Sequence, residues 1–262
     1  MKRSIISLLF WMFFLPVFAQ SAPEQPANSP RYNILTTGAS IVAPGNSWFE
    51  MGCARLNAAP INRAVNGESI AHTANRMELG ELYTKQELEM LDAFVIVHVH
   101  DYDVCDESLL FENYRDYSVP FADVYAPANY AKAFDYVIKR YISDCYELRN
   151  DPDSKYYGSN SGKPAVIVLC TYWHDARSIY NTSVRRLAEK WGLPLVEFDK
   201  NIGFSKNALH PATKGQHSML YTRDTRVEID GVTYGWHPLH GDDSYIQQRM
   251  AAIFTDLMRR IL

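Results

Sequence analysis

Four short stretches combine residue types and spacings that could do chemistry. In VIVHVHDYD, Val95 to Asp103, two histidines and two aspartates sit where an apolar run stops. Alternate residues of an extended strand share a face, so His98 and His100 point one way and Asp101 the other. With an acid such as Asp103 they could begin a metal site, although no HExxH motif or cysteine-rich partner accompanies them. A second apolar run ends in Gly38-Ala39-Ser40. A serine in a strand-to-helix turn stands at a sheet's top edge beside backbone N–H groups, which suits a nucleophile whose developing oxyanion needs donors. Gly-x-Ser is equally an ordinary turn. In AVNGESIAH, Gly67 lets the backbone approach a ligand and offer an N–H, or simply caps a helix. Finally, His237-Pro238 precedes the last apolar-periodic segment, where a loop histidine could act as a general base.

Elements that could position these residues recur along the chain. Strand-like runs cover Tyr32 to Thr37, Ile61 to Val65, Ala93 to Val99, Ala165 to Cys170 and Leu195 to Phe198. Between and after them lie amphipathic stretches: Ser47 to Leu56, Lys85 to Leu91, Tyr130 to Leu148, Arg177 to Trp191 and Asp243 to Ile261. Strand-then-helix repetition predicts a single α/β domain, a parallel sheet of about five strands with helices on both faces. Ligands bind such sheets beyond the carboxyl ends of the strands, where the strand order reverses. Two longer stretches, Tyr102 to Ala128 and Asn201 to Gly235, exceed ordinary loop lengths and are expected to wall or cover a site.

Composition narrows the class. Lys2 and Arg3, the apolar run Ile5 to Phe14, Pro16 and Val17-Phe18-Ala19 read as a secretory signal, with cleavage expected after Ala19. No cysteine follows the run to take a lipid, so no membrane insertion is expected once the signal is removed. Residues 20–30, QSAPEQPANSP, read as a flexible lead-in, and 31–262 as the domain. Without Lys2 and Arg3 the chain has 24 basic and 30 acidic residues, so its formal charge moves from -4 to -6. A mildly acidic surface argues against a nucleic-acid partner, which would need a basic stripe. Aromatics make up 13% of the chain, with 17 Tyr, enough for a packed core and for a sugar- or aryl-facing cleft. Cys53, Cys105, Cys145 and Cys170 lack CxxC spacing, so one disulfide is possible but no disulfide scaffold is expected.

Taken in order, these stretches resemble the SGNH (GDSL-like) hydrolases, serine esterases on a flavodoxin-like three-layer α/β sandwich. Gly38-Ala39-Ser40 with Trp48 behind it is similar to the first block of the family, which implies Ser40 as nucleophile. Asn66-Gly67-Glu68-Ser69 is similar to the second, implying an oxyanion hole built from the N–H groups of Ser40 and Gly67. His237-Pro238, Gly241 and the terminal helix resemble the fifth, implying His237 as base; His210-Pro211 is a rival. The resemblance implies no cofactor and no metal, and a small-molecule or acylated-carbohydrate ester as substrate.

The chain also departs from the family. Ala39 stands where Asp is usual. The third block, which usually ends in an oxyanion-donating Asn, falls near His100-Asp101, so His100 becomes the substitute donor. Tyr234 occupies the place of the fifth-block aspartate, leaving Asp101, Asp230, Asp242 or Asp243, a backbone carbonyl, or Tyr234 itself to hold His237. Trp236 beside His237, the pair Tyr172-Trp173 and Tyr234 could stack on a sugar, or pack in the core. The departures leave two other readings open: a degraded site serving as a glycan-binding or accessory module, and a metal-dependent hydrolase using His98, His100 and Asp103.

Overall fold

The computed structural model describes residues 29–45, 47–98, 107–223 and 226–262. The expected signal, most of the lead-in, His100, Asp101, Asp103 and Cys105 lie outside the described residues.

Five parallel strands form the central sheet: β1 (Tyr32–Gly38), β2 (Ala58–Asn62), β3 (Ala93–Val97), β4 (Ile167–Cys170) and β5 (Leu195–Val196), in the order β2-β1-β3-β4-β5. The β1–β3 register pairs Ile34 with Ala93 and Gly38 with Val97. β3 is buried at every position, the mark of a parallel strand covered on both faces. Connections must be right-handed, and the chain moves one way from β1 to β2 and the other way from β2 to β3 onwards. That reversal sends α1 (Trp48–Arg55) and α7 (Tyr245–Ile261) to one face, and α2 (Ile70–Glu78), α3 (Lys85–Met90), α4 (Asn129–Glu147) and α5 (Ser178–Trp191) to the other. The result is the three-layer α/β sandwich expected, with its switch point between β1 and β3.

On the first face, buried Trp48 meets Phe254 of α7 at 5.4 Å and Phe198, the first residue of the short α6 (Phe198–Asn201), at 4.8 Å, both edge-on. Gly52 allows α1 to lie flat on α7, since a Cβ there would stand 2.4 Å from Phe254 Cδ1. On the other face the carboxylate of Asp135 is fully buried. It is held by Lys139 at 2.7 Å and Lys190 at 3.0 Å, and the same lysines donate to the carbonyls of Tyr114 and Glu112. This clamp fastens part of the long 102–128 stretch across α4 and α5.

The sequence expectations differ from the structure in several places. β2 lies about three residues earlier than expected and contains Pro60, tolerated because β2 is an edge strand. β5 is only two residues long, and Phe198 starts a helix instead of ending a strand. α2 was not expected; its buried face consists of Ile70, Ala71, Thr73, Ala74 and Met77. The 201–235 stretch holds a hairpin, β6 (Arg226–Ile229) and β7 (Val232–Gly235), turned by Asp230 and Gly231 at φ 53° and 75°. Positive φ at both central residues marks a type I′ turn, and Asp-Gly is its usual sequence signal. Cys53, Cys145 and Cys170 are free and buried, so among the described residues no disulfide forms. Burial pushes all three thiols up, Cys145 to about 11. No helix among the described residues is long and apolar enough to cross a membrane.

Candidate active site

Ser40 sits at the corner of the turn that leaves β1, closed by Val42 N–H donating to the Ala39 carbonyl at 3.1 Å. Backbone contacts from neighbouring strands fix that corner. Ala39 N–H donates to Val97 of β3 at 3.2 Å, and Val65, beyond β2, donates to the Gly38 carbonyl at 3.0 Å. Gly38 is required by contact: a Cβ there would stand 2.1 Å from the Val97 oxygen. Asn62 braces the turn from the β2 side, donating to the Val42 carbonyl at 2.7 Å.

His237 reaches this corner from far along the chain. Its Nε2 lies 2.7 Å from the Ser40 hydroxyl oxygen, and both residues are half-buried. The imidazole can therefore accept the hydroxyl proton. The backbone of His237 is held by its carbonyl, which accepts from Thr222 Oγ1 at 2.9 Å and Arg223 N–H at 3.0 Å. Just upstream, Gly235 is enclosed: its N–H donates to Ser218 Oγ at 3.0 Å, and its carbonyl accepts from His174 Nε2 at 2.8 Å. Gln247 of α7, itself buried, joins the two halves. It accepts from Trp48 N–H at 2.8 Å and donates to the Leu239 carbonyl at 2.8 Å.

Gly67 lies two residues beyond Val65, in a left-handed conformation at φ 79°. Tyr125 donates to its carbonyl at 2.9 Å. Among the described residues neither the Gly67 N–H nor the Ser40 N–H has an acceptor, so both donors remain available for an oxyanion. Glu68 pairs with Arg76 at 3.2 Å; burial raises its carboxyl pKa, and Arg76 opposes the rise.

Other expected site residues have different surroundings. Tyr234 is buried and stacked on His174, with ring centroids 6.1 Å apart. Its ring is turned towards His174 in the interior. Burial, then Asp175 and Asp230, push its hydroxyl pKa up. Tyr172 and Trp173 are fully buried and bond to the Trp236 carbonyl, which takes them out of reach of a sugar ring. Trp236 itself is half-buried, 5.9 Å from the His237 ring and covered by the Arg177 guanidinium at 4.8 Å. His210 is occupied in its own turn, accepting from Thr213 N–H at 3.2 Å. Asp230, at the hairpin tip, Asp242 and Asp243 are exposed. His98 is fully buried, with Nε2 2.8 Å from Thr73 Oγ1 and Nδ1 3.3 Å from the Glu68 carbonyl. Among the described residues no group of three or more His, Cys, Asp or Glu could hold a metal.

The sequence reading missed His174 and Gln247. Burial holds His174 neutral, with its pKa lowered to about 4. No local pattern marks either residue, whereas Asp230-Gly231 was a readable hairpin signal that would have placed Gly235 at the end of a strand and His237 just beyond it.

Sheet order, switch-point location and the neighbouring serine and histidine match the SGNH-like fold expected from the sequence. The chain is similar to solved structures over most of its length. A lipase candidate from Chitinophaga pinensis DSM 2588 superposes with TM-score 0.51 at 11% identity, covering 87% of this chain and 98% of that one. A GDSL-like lipase candidate from Parabacteroides merdae ATCC 43184 gives 0.44 at 17% identity over 87% and 95%. A member of the lipolytic protein G-D-S-L family from Veillonella parvula DSM 2008 gives 0.42 at 11% identity over 88% and 98%. The chain belongs to the family described as Domain of unknown function (DUF5040), whose model matches residues 31–262. No curated protein sequence matches it significantly.

Proposed function

We propose that the protein is a serine ester hydrolase working by acyl transfer. The observation that carries this reading is the 2.7 Å contact between Ser40 Oγ and His237 Nε2. Ser40 attacks the ester carbonyl as His237 takes its proton, and the tetrahedral oxyanion accepts from the N–H groups of Ser40 and Gly67. Collapse releases the alcohol, protonated by His237, and leaves the acyl group on Ser40. Water, activated by the same histidine, then frees the acid and restores the serine. His100 is a proposed third oxyanion donor, and Asp101 remains a candidate for holding His237. The proposed substrate is an O-acylated carbohydrate, and the protein is proposed to be exported by its N-terminal segment. Half-buried Trp236 beside the histidine and exposed Tyr125 beside Gly67 support a sugar-facing cleft.

The serine reading is favoured over a metal centre because both ring nitrogens of His98 have protein partners. A degraded glycan-binding module would not be expected to keep the serine and histidine within proton-transfer distance. The test is p-nitrophenol release from p-nitrophenyl acetate, and acetate release from acetylated polysaccharides, by wild type and Ser40→Ala, with and without chelator. Hydrolysis lost in the variant and indifferent to chelation is the expected result. Chelator-sensitive hydrolysis would transfer the reading to the metal hydrolase, and folded wild type no better than Ser40→Ala on either substrate would transfer it to the binding module.

A further inference from the structure

His98 belongs to the stretch that first suggested chemistry, yet the acyl-transfer mechanism gives it no part. It is fully buried at the end of β3 and lies in a chain of side-chain contacts. Thr37 Oγ1 of β1 is 2.8 Å from Thr73 Oγ1 of α2, Thr73 Oγ1 is 2.8 Å from His98 Nε2, and His98 Nδ1 is 3.3 Å from the Glu68 carbonyl. A carbonyl can only accept, so this contact requires the proton on Nδ1. A neutral ring then leaves Nε2 to accept from the Thr73 hydroxyl, whose oxygen accepts in turn from Thr37. The two ends of this chain matter. Thr37 is three residues before Ser40, and Glu68 directly follows Gly67.

The loop around Gly67 is gripped from two sides. Tyr125 donates to the Gly67 carbonyl at 2.9 Å from the exposed side, and His98 holds the next carbonyl from below. Between these contacts the Gly67 N–H has no acceptor among the described residues. Left-handed backbone at φ 79° gives the glycine little conformational support of its own, so the direction of that N–H depends on these carbonyl contacts.

We propose that His98 is a positioning residue: its Nδ1–H, bonded to the Glu68 carbonyl and oriented through Thr73 by Thr37, fixes the Gly67 N–H as an oxyanion donor. The proposal rests on the acyl-transfer reading for its effect on rate, but its structural content can be tested separately. An asparagine at 98 places an amide N–H where Nδ1 stands, whereas a glutamine places its amide at the Nε2 position and leaves the Glu68 carbonyl without its donor. Each variant loses one of the two described side-chain contacts of His98, so a merely structural role predicts similar losses of stability and of activity.

The experiment compares wild type, His98→Asn and His98→Gln in steady-state hydrolysis of p-nitrophenyl acetate and by backbone amide NMR. We expect kcat to fall about 100-fold in His98→Gln, the scale of an active-site misplacement, and about tenfold or less in His98→Asn, with KM nearly unchanged in both. The Gly67 amide resonance should shift and exchange faster with solvent in His98→Gln than in His98→Asn. Equal kcat losses, or an unmoved Gly67 amide in His98→Gln, would overturn the proposal while leaving the serine mechanism intact. Absence of Ser40-dependent hydrolysis in wild type would remove the mechanism instead, and the Gly67 amide would still decide whether His98 holds the loop. If both variants fail to fold, imidazole 15N shifts of the wild-type protein decide: the Nδ1–H tautomer supports the proposal and the Nε2–H tautomer overturns it.

Discussion

The two halves of the candidate site are held by different means. Around Ser40 the grip is backbone on backbone: Ala39 to Val97, Val65 to Gly38, and the Gly38 Cα pressed against the Val97 carbonyl. Around His237 it comes largely from side chains of distant loops. Ser218 and His174 hold Gly235, while Thr222 holds the His237 carbonyl. A parallel ladder places a turn as a consequence of strand pairing. A loop pinned by side chains stays in place only while each of those side chains keeps its partner and its protonation state.

If the halves act as one unit, removing either should cost the same. Ser40→Ala and His237→Ala are each expected to lower kcat/KM by about 10⁴- to 10⁶-fold, and the double variant no further, as triad members behave elsewhere. Additive losses in ester-hydrolysis kinetics would show that the halves work independently.

The histidine half should respond to acid. His174 has its pKa pulled down from 6.5 to about 4 by burial, so its folded form resists a proton that the unfolded chain accepts. Its contribution is fully present above pH 6.5 and is lost as pH falls towards 4, a change of roughly 3 kcal/mol. Urea midpoints between pH 7 and 4 should follow this slope, and His174→Gln, which keeps a donor for the Gly235 carbonyl, should flatten it. A variant with the wild-type slope would place the acid sensitivity elsewhere.

The serine half should instead be sensitive to volume. Gly38→Ala would set a Cβ 2.1 Å from a central-strand carbonyl oxygen that cannot move without disturbing β3, and is expected to cost about 3 kcal/mol in urea unfolding. Gly235→Ala meets the Ser218 carbonyl at 2.6 Å and the Thr222 side chain, a less severe overlap, and about 1–2 kcal/mol is expected. The reverse order would contradict the distinction between ladder and loop. The smallest effect belongs to Thr222→Val, which removes one bond to the His237 carbonyl and should cost about 1 kcal/mol. Its kcat should fall more than its stability would suggest, because the base loses part of its hold.

Much of the sheet was readable because parallel strands buried on both faces are continuous apolar runs, as Ala93 to Val97 is. Pro60 concealed β2, since only its place at an edge makes a proline acceptable there. α2 and the hairpin were both missed, the hairpin despite its Asp-Gly turn. Ser40, Gly67 and His237 were singled out by the resemblance of their short blocks, taken in order, to a known family, and the structure brings Ser40 and His237 into contact. The roles of Tyr172, Trp173, Tyr234, His174 and Gln247 could not, because nothing within a few residues of an aromatic or an amide says whether it faces solvent or a distant loop.

The sequence by itself determined the alternation of strands and helices, and with it the sheet edge where chemistry must sit, because hydrophobic periodicity and turn residues act locally. Only the tertiary structure decided that His237 meets Ser40 across 197 positions, that His98 is committed to Thr73 and the Glu68 carbonyl, and that Tyr234 turns inward. Those outcomes depend on hydrogen bonds between groups far apart in the chain, whose partners are chosen only when the layers pack.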